Sequence, residues 1–163
     1  MDKKVILDAI APCSLCCHTC AMKKDGIIAN TAKDLLNYHI GYCDFENLIL
    51  SKKFKKSIRE EKKFLEKLRE KSNVTCRGCR NGEHGKYCIK NCFILECSKS
   101  HGVDFCGECN EFPCNKTKDI FNDIVLEDWL IGNNRIKEIG IEKYYEETIT
   151  LSHYLSYTKS KNN

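Results

Sequence analysis

No stretch of the sequence approaches the about 20 consecutive apolar residues that a membrane-spanning helix needs. The opening MDKKVILDAIAPC carries charges where a secretory leader would carry an uninterrupted apolar run. The chain therefore reads as cytoplasmic, with no membrane partner. Apolar residues are scarce as well. They make up 42% of the 163 residues, but 13 of them are cysteine. The about 55 that remain are roughly a third of the chain, against about 45–50% in ordinary globular domains. Also missing are a phosphate-cradling glycine loop, a Ser/His/Asp set, a paired-carboxylate site and a solenoid repeat. Strands do not alternate with helices as a barrel or a thioredoxin-like redox fold requires. A core this thin needs help from something other than apolar burial.

What the sequence has in abundance is cysteine. In a reducing compartment clustered thiols are metal ligands before they are disulfides. The odd count and the adjacent pair Cys16–Cys17 also fit a disulfide framework poorly. Metal changes the charge balance. The formal net charge is +4 with every thiol neutral. A zinc ion held by four thiolates carries a net −2, so three such sites would bring the total to about −2. The basic balance is therefore weak support for a nucleic-acid partner.

Four stretches divide a single domain, residues 1–163: a first cysteine cluster in 1–29, a helical segment at 30–72, a cysteine-rich segment at 73–116 and a second helical segment at 117–157. In NTAKDLLNYHI, Asn30 or Thr31 is the expected N-cap, and Leu35, Leu36, His39 and Ile40 follow at helical spacing. In the next helix Phe54, Ile58, Leu65 and Leu68 form an apolar stripe, widened by Phe64. Residues 52–71 carry ten Lys or Arg and four Glu. Alternating charge of this kind is how a solvated helix face looks, and no further aromatics are interleaved for base stacking. The second helical segment is expected to break at Gly132 and Gly140. Its Trp129, Ile136, Ile139 and Tyr144 are expected to pack on the first helical segment, and its tail TKSKNN to fray.

The thiols fall into recognisable spacings. Cys76–Cys79 in TCRGCR and Cys106–Cys109 in FCGECN are Cys-x-x-Cys units, each able to turn two sulfurs toward one ion as a zinc knuckle. Pairing them as a ribbon-type site puts Cys76, Cys79, Cys106 and Cys109 on one ion. Cys88 and Cys92 stand four apart and share a face if helical. Cys92 and Cys97 stand five apart, so one helix cannot aim both at the same ion. Cys114 follows Pro113, which fixes the local backbone. In APCSLCCHTC, Cys13, Cys17 and Cys20 form Cys-x-x-x-Cys-x-x-Cys, the spacing with which radical S-adenosylmethionine enzymes hold a four-iron cluster. Those enzymes commonly place an aromatic where this chain has Thr19, and they need a barrel. Cys16 is a further candidate ligand. His18, His84 and His101 lie among the cysteines and read most simply as solvated, and Cys43 as a packed thiol.

APCSLCCHTC, CRGCR, CFILECSKSHGVDFCGECNEFPC and NRIKEIGIEKYYEE follow one another as in the bacterial and archaeal domain of unknown function 3795, which residues 11–146 resemble. On that pattern Cys13, Cys17, Cys20, Cys76, Cys79, Cys92, Cys97, Cys106, Cys109 and Cys114 fall on the family's cysteine positions. Cys16 stands where an acid is common, and Ser14 replaces the usual glycine. The resemblance implies a cysteine-rich, zinc-binding protein and supplies no reaction. The expected architecture is α-rich and irregular: a cysteine and zinc core from 11–20 and 73–116, flanked by helices and holding two or three zinc ions. Cys13, Cys17 and Cys20 would find partners among Cys92, Cys97 and Cys114. The expected function is a structural-zinc binding or adaptor module with a protein partner. The alternatives are an iron–sulfur redox or radical enzyme on Cys13, Cys17 and Cys20, and a metal storage or delivery protein.

Overall fold

The computed structural model describes residues 1–49, 55–82, 88–89 and 92–161. It is helix-rich, with α1 at Lys3–Ala9, α2 at Ile27–Tyr38, α3 at Tyr42–Ile49, α4 at Lys55–Ser72, α5 at Ile94–Ser100, α6 at Asp123–Ile139 and α7 at Ile141–Thr148. Strand-like pairing among the described residues is confined to isolated bridges, Ile10 with Cys16 and Lys23 with Cys76. The α-rich expectation holds. Helices α1 and α5 were not anticipated, because seven residues are too few to show a helical period. The Asp2 carboxylate caps α1 by accepting from the Lys4 amide at 2.9 Å.

Helices α2, α3 and α4 pack on one another as a helical arm. Ala29 and Ala32 of α2 and Leu65 of α4 are its buried contacts. At its far end the His39 ring meets the edges of Tyr42 and Phe64, with centroids 5.8 and 6.3 Å away. Two readings of this segment need correction. Helix α2 starts at Ile27 after Gly26, so Asn30 and Thr31 lie inside it and cap nothing. Gly26 takes the cap because a Cβ there would stand 2.6 Å from the His18 carbonyl. The helix also ends at Tyr38, leaving Ile40 outside and 80% exposed. Of the expected stripe on α4, Leu65 is buried and Phe64 is half out. Phe54 and the Ile58 side chain lie outside the described residues.

The second helical segment packs elsewhere than expected. Ile136 and Tyr144 join Ile6, Ala9 and Ile10 of the amino-terminal segment, together with Phe105, in one core cluster. Trp129 belongs to a second cluster with Ala11, Cys13, Ile94 and Phe121, around which half-buried cysteines gather. The Phe112 ring meets Trp129 edge to face at 4.9 Å, an arrangement that adds about 0.5–1.5 kcal/mol to simple burial. These side chains thus tie α6 and α7 to α1 and the cysteine loops. The chain takes this course because its few large apolar residues must cover the thiol-bearing loops, which have little apolar surface of their own.

Gly140 does break the helical segment, at φ +79° between α6 and α7. Gly132 does not: α6 runs straight through it. It is glycine because Ser14 and the Tyr144 hydroxyl press against that face. The Tyr144 hydroxyl donates to the Ser14 carbonyl at 3.0 Å, drawing α7, α6 and the first cysteine loop together. The tail forms a short 3-10 turn at Ser156–Lys161, and the Ser156 hydroxyl donates to Asp128. Gly132→Ala should therefore destabilise the fold by about 1–2 kcal/mol in denaturant unfolding. Crowding costs more there than the about 1 kcal/mol gained in helix propensity.

Candidate metal centre

The eleven candidate cysteines Cys13, Cys17, Cys20, Cys76, Cys79, Cys88, Cys92, Cys97, Cys106, Cys109 and Cys114 line two separate cavities. The first, of about 30 Å³, is ringed by Cys97, Cys106, Cys109 and Cys114, with Phe112 and Trp129 in its wall. Cys97 comes from α5. Cys106 and Cys109 flank a 3-10 turn closed by the Cys109 amide donating to the Cys106 carbonyl at 3.0 Å. Cys114 follows the cis Phe112–Pro113 bond and heads the next turn.

The Cys106–Cys109 turn is held from both sides. The Glu108 carboxylate accepts from the Asp104 and Phe105 amides at 2.9 and 3.0 Å. Asn133 of α6, fully buried, accepts from the Gly107 amide at 2.8 Å and donates to the Trp129 carbonyl at 2.9 Å. Gly107 lies against the Asn133 backbone so closely that a Cβ would collide with it. Burial pushes the Cys106 thiol up to about 11, while the Trp129 indole pulls it down. That indole N–H is buried with no partner of conventional geometry, so the sulfur it faces is its natural acceptor. Cys97 is raised by burial and lowered by the neighbouring Lys116 ammonium.

The second cavity, of about 50 Å³, takes Cys13, Cys17 and Cys20 from the amino-terminal loop, Cys76 and Cys79 from the knuckle, and Cys88 and Cys92 from the stretch before α5. Cys17 and Cys20 flank another 3-10 turn, with the Cys20 amide donating to the Cys17 carbonyl at 3.0 Å. In the knuckle Gly78 adopts φ +82°, and its amide donates to the Cys76 sulfur at 3.4 Å. Lys23 fastens this knuckle. Its side chain is only 5% exposed, and its ammonium donates to the Arg77 carbonyl at 2.8 Å and to Asp8 at 2.9 Å. The Lys24 amide also donates to the Cys76 carbonyl at 2.8 Å. Burial drives the Cys13 thiol far above its usual range. The Cys17 contact, with burial adding to it, pushes Cys79 up to about 12. The Cys79 contact drives the thiol of Cys88, exposed at the cavity rim, far up.

These shifts describe thiols crowded out of water beside one another, which stay neutral unless a cation offsets the charge of ionisation. The twelve cysteines whose side chains are described are all free thiols. Among the described residues no three Cys, His, Asp or Glu side chains stand within binding distance of a common point as placed. The donor set nonetheless suits zinc, whose closed sites take thiolates in fours. The cavities have room for an ion and fall far below the about 300 Å³ of a metabolite pocket.

The grouping differs from the expected one. Cys106 and Cys109 share a cavity with Cys97 and Cys114, while Cys76 and Cys79 join Cys13, Cys17 and Cys20. The reason lies in α6, whose Asn133 and Trp129 hold the Cys106–Cys109 turn, while Lys23 draws the other knuckle to the first loop. Cys88 and Cys92 line the same cavity, and α5 begins beyond both of them, at Ile94. Cys92 and Cys97 line different cavities. Cys16 lines a different cleft, of about 290 Å³, beside Asp128, Arg135 and Tyr144. His101 borders the four-thiol cavity, and its Nδ1 lies 2.8 Å from the Cys97 carbonyl. His84 and the Cys43 side chain lie outside the described residues. Sequence reasoning missed Lys23, Asn133 and Trp129 as supports of the thiol loops. Their only sequence signal is a polar or aromatic residue at the edge of an apolar pattern.

A helix-rich scaffold with two small thiol-lined cavities defines the class: a small cysteine-rich protein. The chain belongs to the family described as protein of unknown function DUF3795, whose model matches residues 9–119. The match stops short of residue 146, where the sequence resemblance ended. No curated protein and no solved structure matches the chain.

Ser14 explains a departure from the family pattern. It is a non-glycine residue at φ +72°, where glycine is at ease and an L side chain costs about 1–2 kcal/mol. Ser14→Gly should stabilise the protein by about 0.5–1 kcal/mol, after the extra freedom of the unfolded chain is subtracted. Asn133→Leu should cost about 2 kcal/mol by leaving the Gly107 amide buried without an acceptor. Both shifts are measured by denaturant unfolding of the full chain.

Proposed function

We propose that this is a structural-metal protein, in which zinc held by clustered thiolates organises a binding module in a reducing, cytoplasmic environment. The observation that carries this reading is the partition of eleven cysteines between two ion-sized cavities. One ion in the four-thiol cavity would complete a tetrahedral set from Cys97, Cys106, Cys109 and Cys114, and at least one more would sit among the seven thiols. A bound dication supplies the positive charge that lets buried thiols ionise. The chain's own residues supply the rest: Lys23 adds a fixed ammonium beside the seven-thiol cavity, and the buried Trp129 indole lines the four-thiol cavity with Cys106. Metal binding to such sites is folding free energy, about 10–16 kcal/mol in the simplest zinc modules, which is what a chain poor in apolar residues needs.

The partner-binding part of the reading rests on the helical arm. Tyr38, Ile40, Phe45 and Leu48 are exposed there, next to a helix that carries eight Lys or Arg and four Glu over Lys55–Ser72. That combination suits an acidic, amphipathic protein segment, whose apolar side chains would cover the exposed aromatics while its carboxylates met the basic helix. No helix among the described residues is long and apolar enough to cross a membrane.

A second reading has its own support. Cys13, Cys17 and Cys20 line one cavity together, so an iron–sulfur cluster there, serving redox chemistry, fits the same thiols. Exchangeable metal storage draws on the exposure of Cys88 at that cavity's rim. One preparation separates the three. Anaerobically purified protein should be colourless, contain zinc and lose its cooperative thermal transition when the metal is fully chelated. Brown protein with labile sulfide would establish the cluster. Metal that leaves rapidly while helical circular dichroism stays intact would establish storage.

A further inference from the structure

Seven thiols are too many for one tetrahedral ion and one too few for two ions with separate ligand sets. Among the described lining residues, Met22 and His153 carry the remaining neutral donor atoms, a thioether and an imidazole, and of the two imidazole is the zinc ligand. We propose that His153 is the eighth donor of this cavity, binding through Nε2, so that the seven-thiol site holds two ions, one of them with three sulfurs and one nitrogen. This rests on the structural-metal reading above and goes beyond it in ligand, stoichiometry and location. His153 lies outside the family-matched segment, which ends at residue 119.

The hydrogen bonding of the ring supports the assignment. Nδ1 lies 2.9 Å from the Cys16 carbonyl. A carbonyl only accepts, so the proton is on Nδ1 and the neutral ring keeps its lone pair on Nε2. Metal-binding histidines are commonly oriented in this way, the second nitrogen donating to a backbone carbonyl. The neighbouring residue reaches the same thiols. Tyr154 accepts from the Ala21 amide at 3.0 Å, which leaves its O–H free to point at the Cys20 sulfur 3.5 Å away. The two rings meet edge to face at 4.9 Å, which packs His153 against the residue that reaches Cys20. Charge favours a histidine here. Seven thiolates around two dications already leave an excess of negative charge, which the buried Lys23 offsets in part, and a neutral imidazole adds a donor without adding to it.

The test loads the full chain with cadmium-113 and labels its histidines with nitrogen-15. Three ions per chain are expected, with one cadmium resonance displaced from the all-sulfur group and split by nitrogen-15. His153→Ala should lose that resonance and one ion. His153→Cys should keep three ions and move the resonance into the all-sulfur group. If the alanine variant does not fold, the splitting in the unaltered chain and the cysteine variant decide. A chain that binds two or three ions with every resonance in the all-sulfur group and no splitting overturns the role of His153 while leaving the structural-metal reading standing. A chain that binds no cadmium overturns both.

Discussion

Thiols packed side by side away from water can hold charge only if a cation is set among them, and this constraint governs the whole molecule. Burial pushes the Cys13 and Cys106 thiols upward, Cys106 to about 11, and contact with a neighbouring thiol pushes Cys79, to about 12, and Cys88 upward. A dication reverses that preference, because its attraction for thiolate in a medium of low polarity outweighs the cost of removing the proton. The chain has too few large apolar residues to hold its loops by burial alone. The same sulfurs that are costly to ionise without a cation thus become the strongest cross-links available when one is present.

Positioning those sulfurs falls to a small set of polar contacts. Two short 3-10 turns, Cys17–Thr19 and Cys106–Glu108, present cysteine pairs in the same way, each closed by one backbone hydrogen bond. The Cys106 amide donates to the Pro12 carbonyl at 2.9 Å, so the loops that feed the two cavities are joined directly. Lys23 and Asn133 then act as counterparts. Each is buried and each holds the backbone of one cysteine pair, the first through a carbonyl and the second through an amide. A buried lysine is costly to place, and here the Asp8 carboxylate and the Arg77 carbonyl offset that cost.

The helical arm is built on other terms. Its contacts are small residues and one leucine, and its surface is rich in charge and exposed aromatics. The cysteine core supplies order where apolar packing is thin, while the arm leaves large side chains in water.

Much of the molecule was legible in the chain itself. Charge-flanked apolar periodicity marked α4, and Gly140 marked the break before α7. The family showed in the order of APCSLCCHTC, CRGCR and the run ending in EFPC. The eleven candidate cysteines could be named because thiol spacing is a local property, set by how far a short turn carries one sulfur from the next. Which cysteines face a common cavity was not legible, since that depends on contacts between segments distant in sequence. The Asn133 amide group, the Lys23 ammonium and the Trp129 ring assign each loop to its neighbours, and none of them stands within a turn of the cysteines it holds except Lys23 beside Cys20. Sequence alone determined that the chain would be helical, cysteine-rich and short of core. Tertiary structure decided the partition into four thiols and seven, and brought His153 to the second cavity, because the lining of a cavity is decided by distance in space and not by distance along the chain.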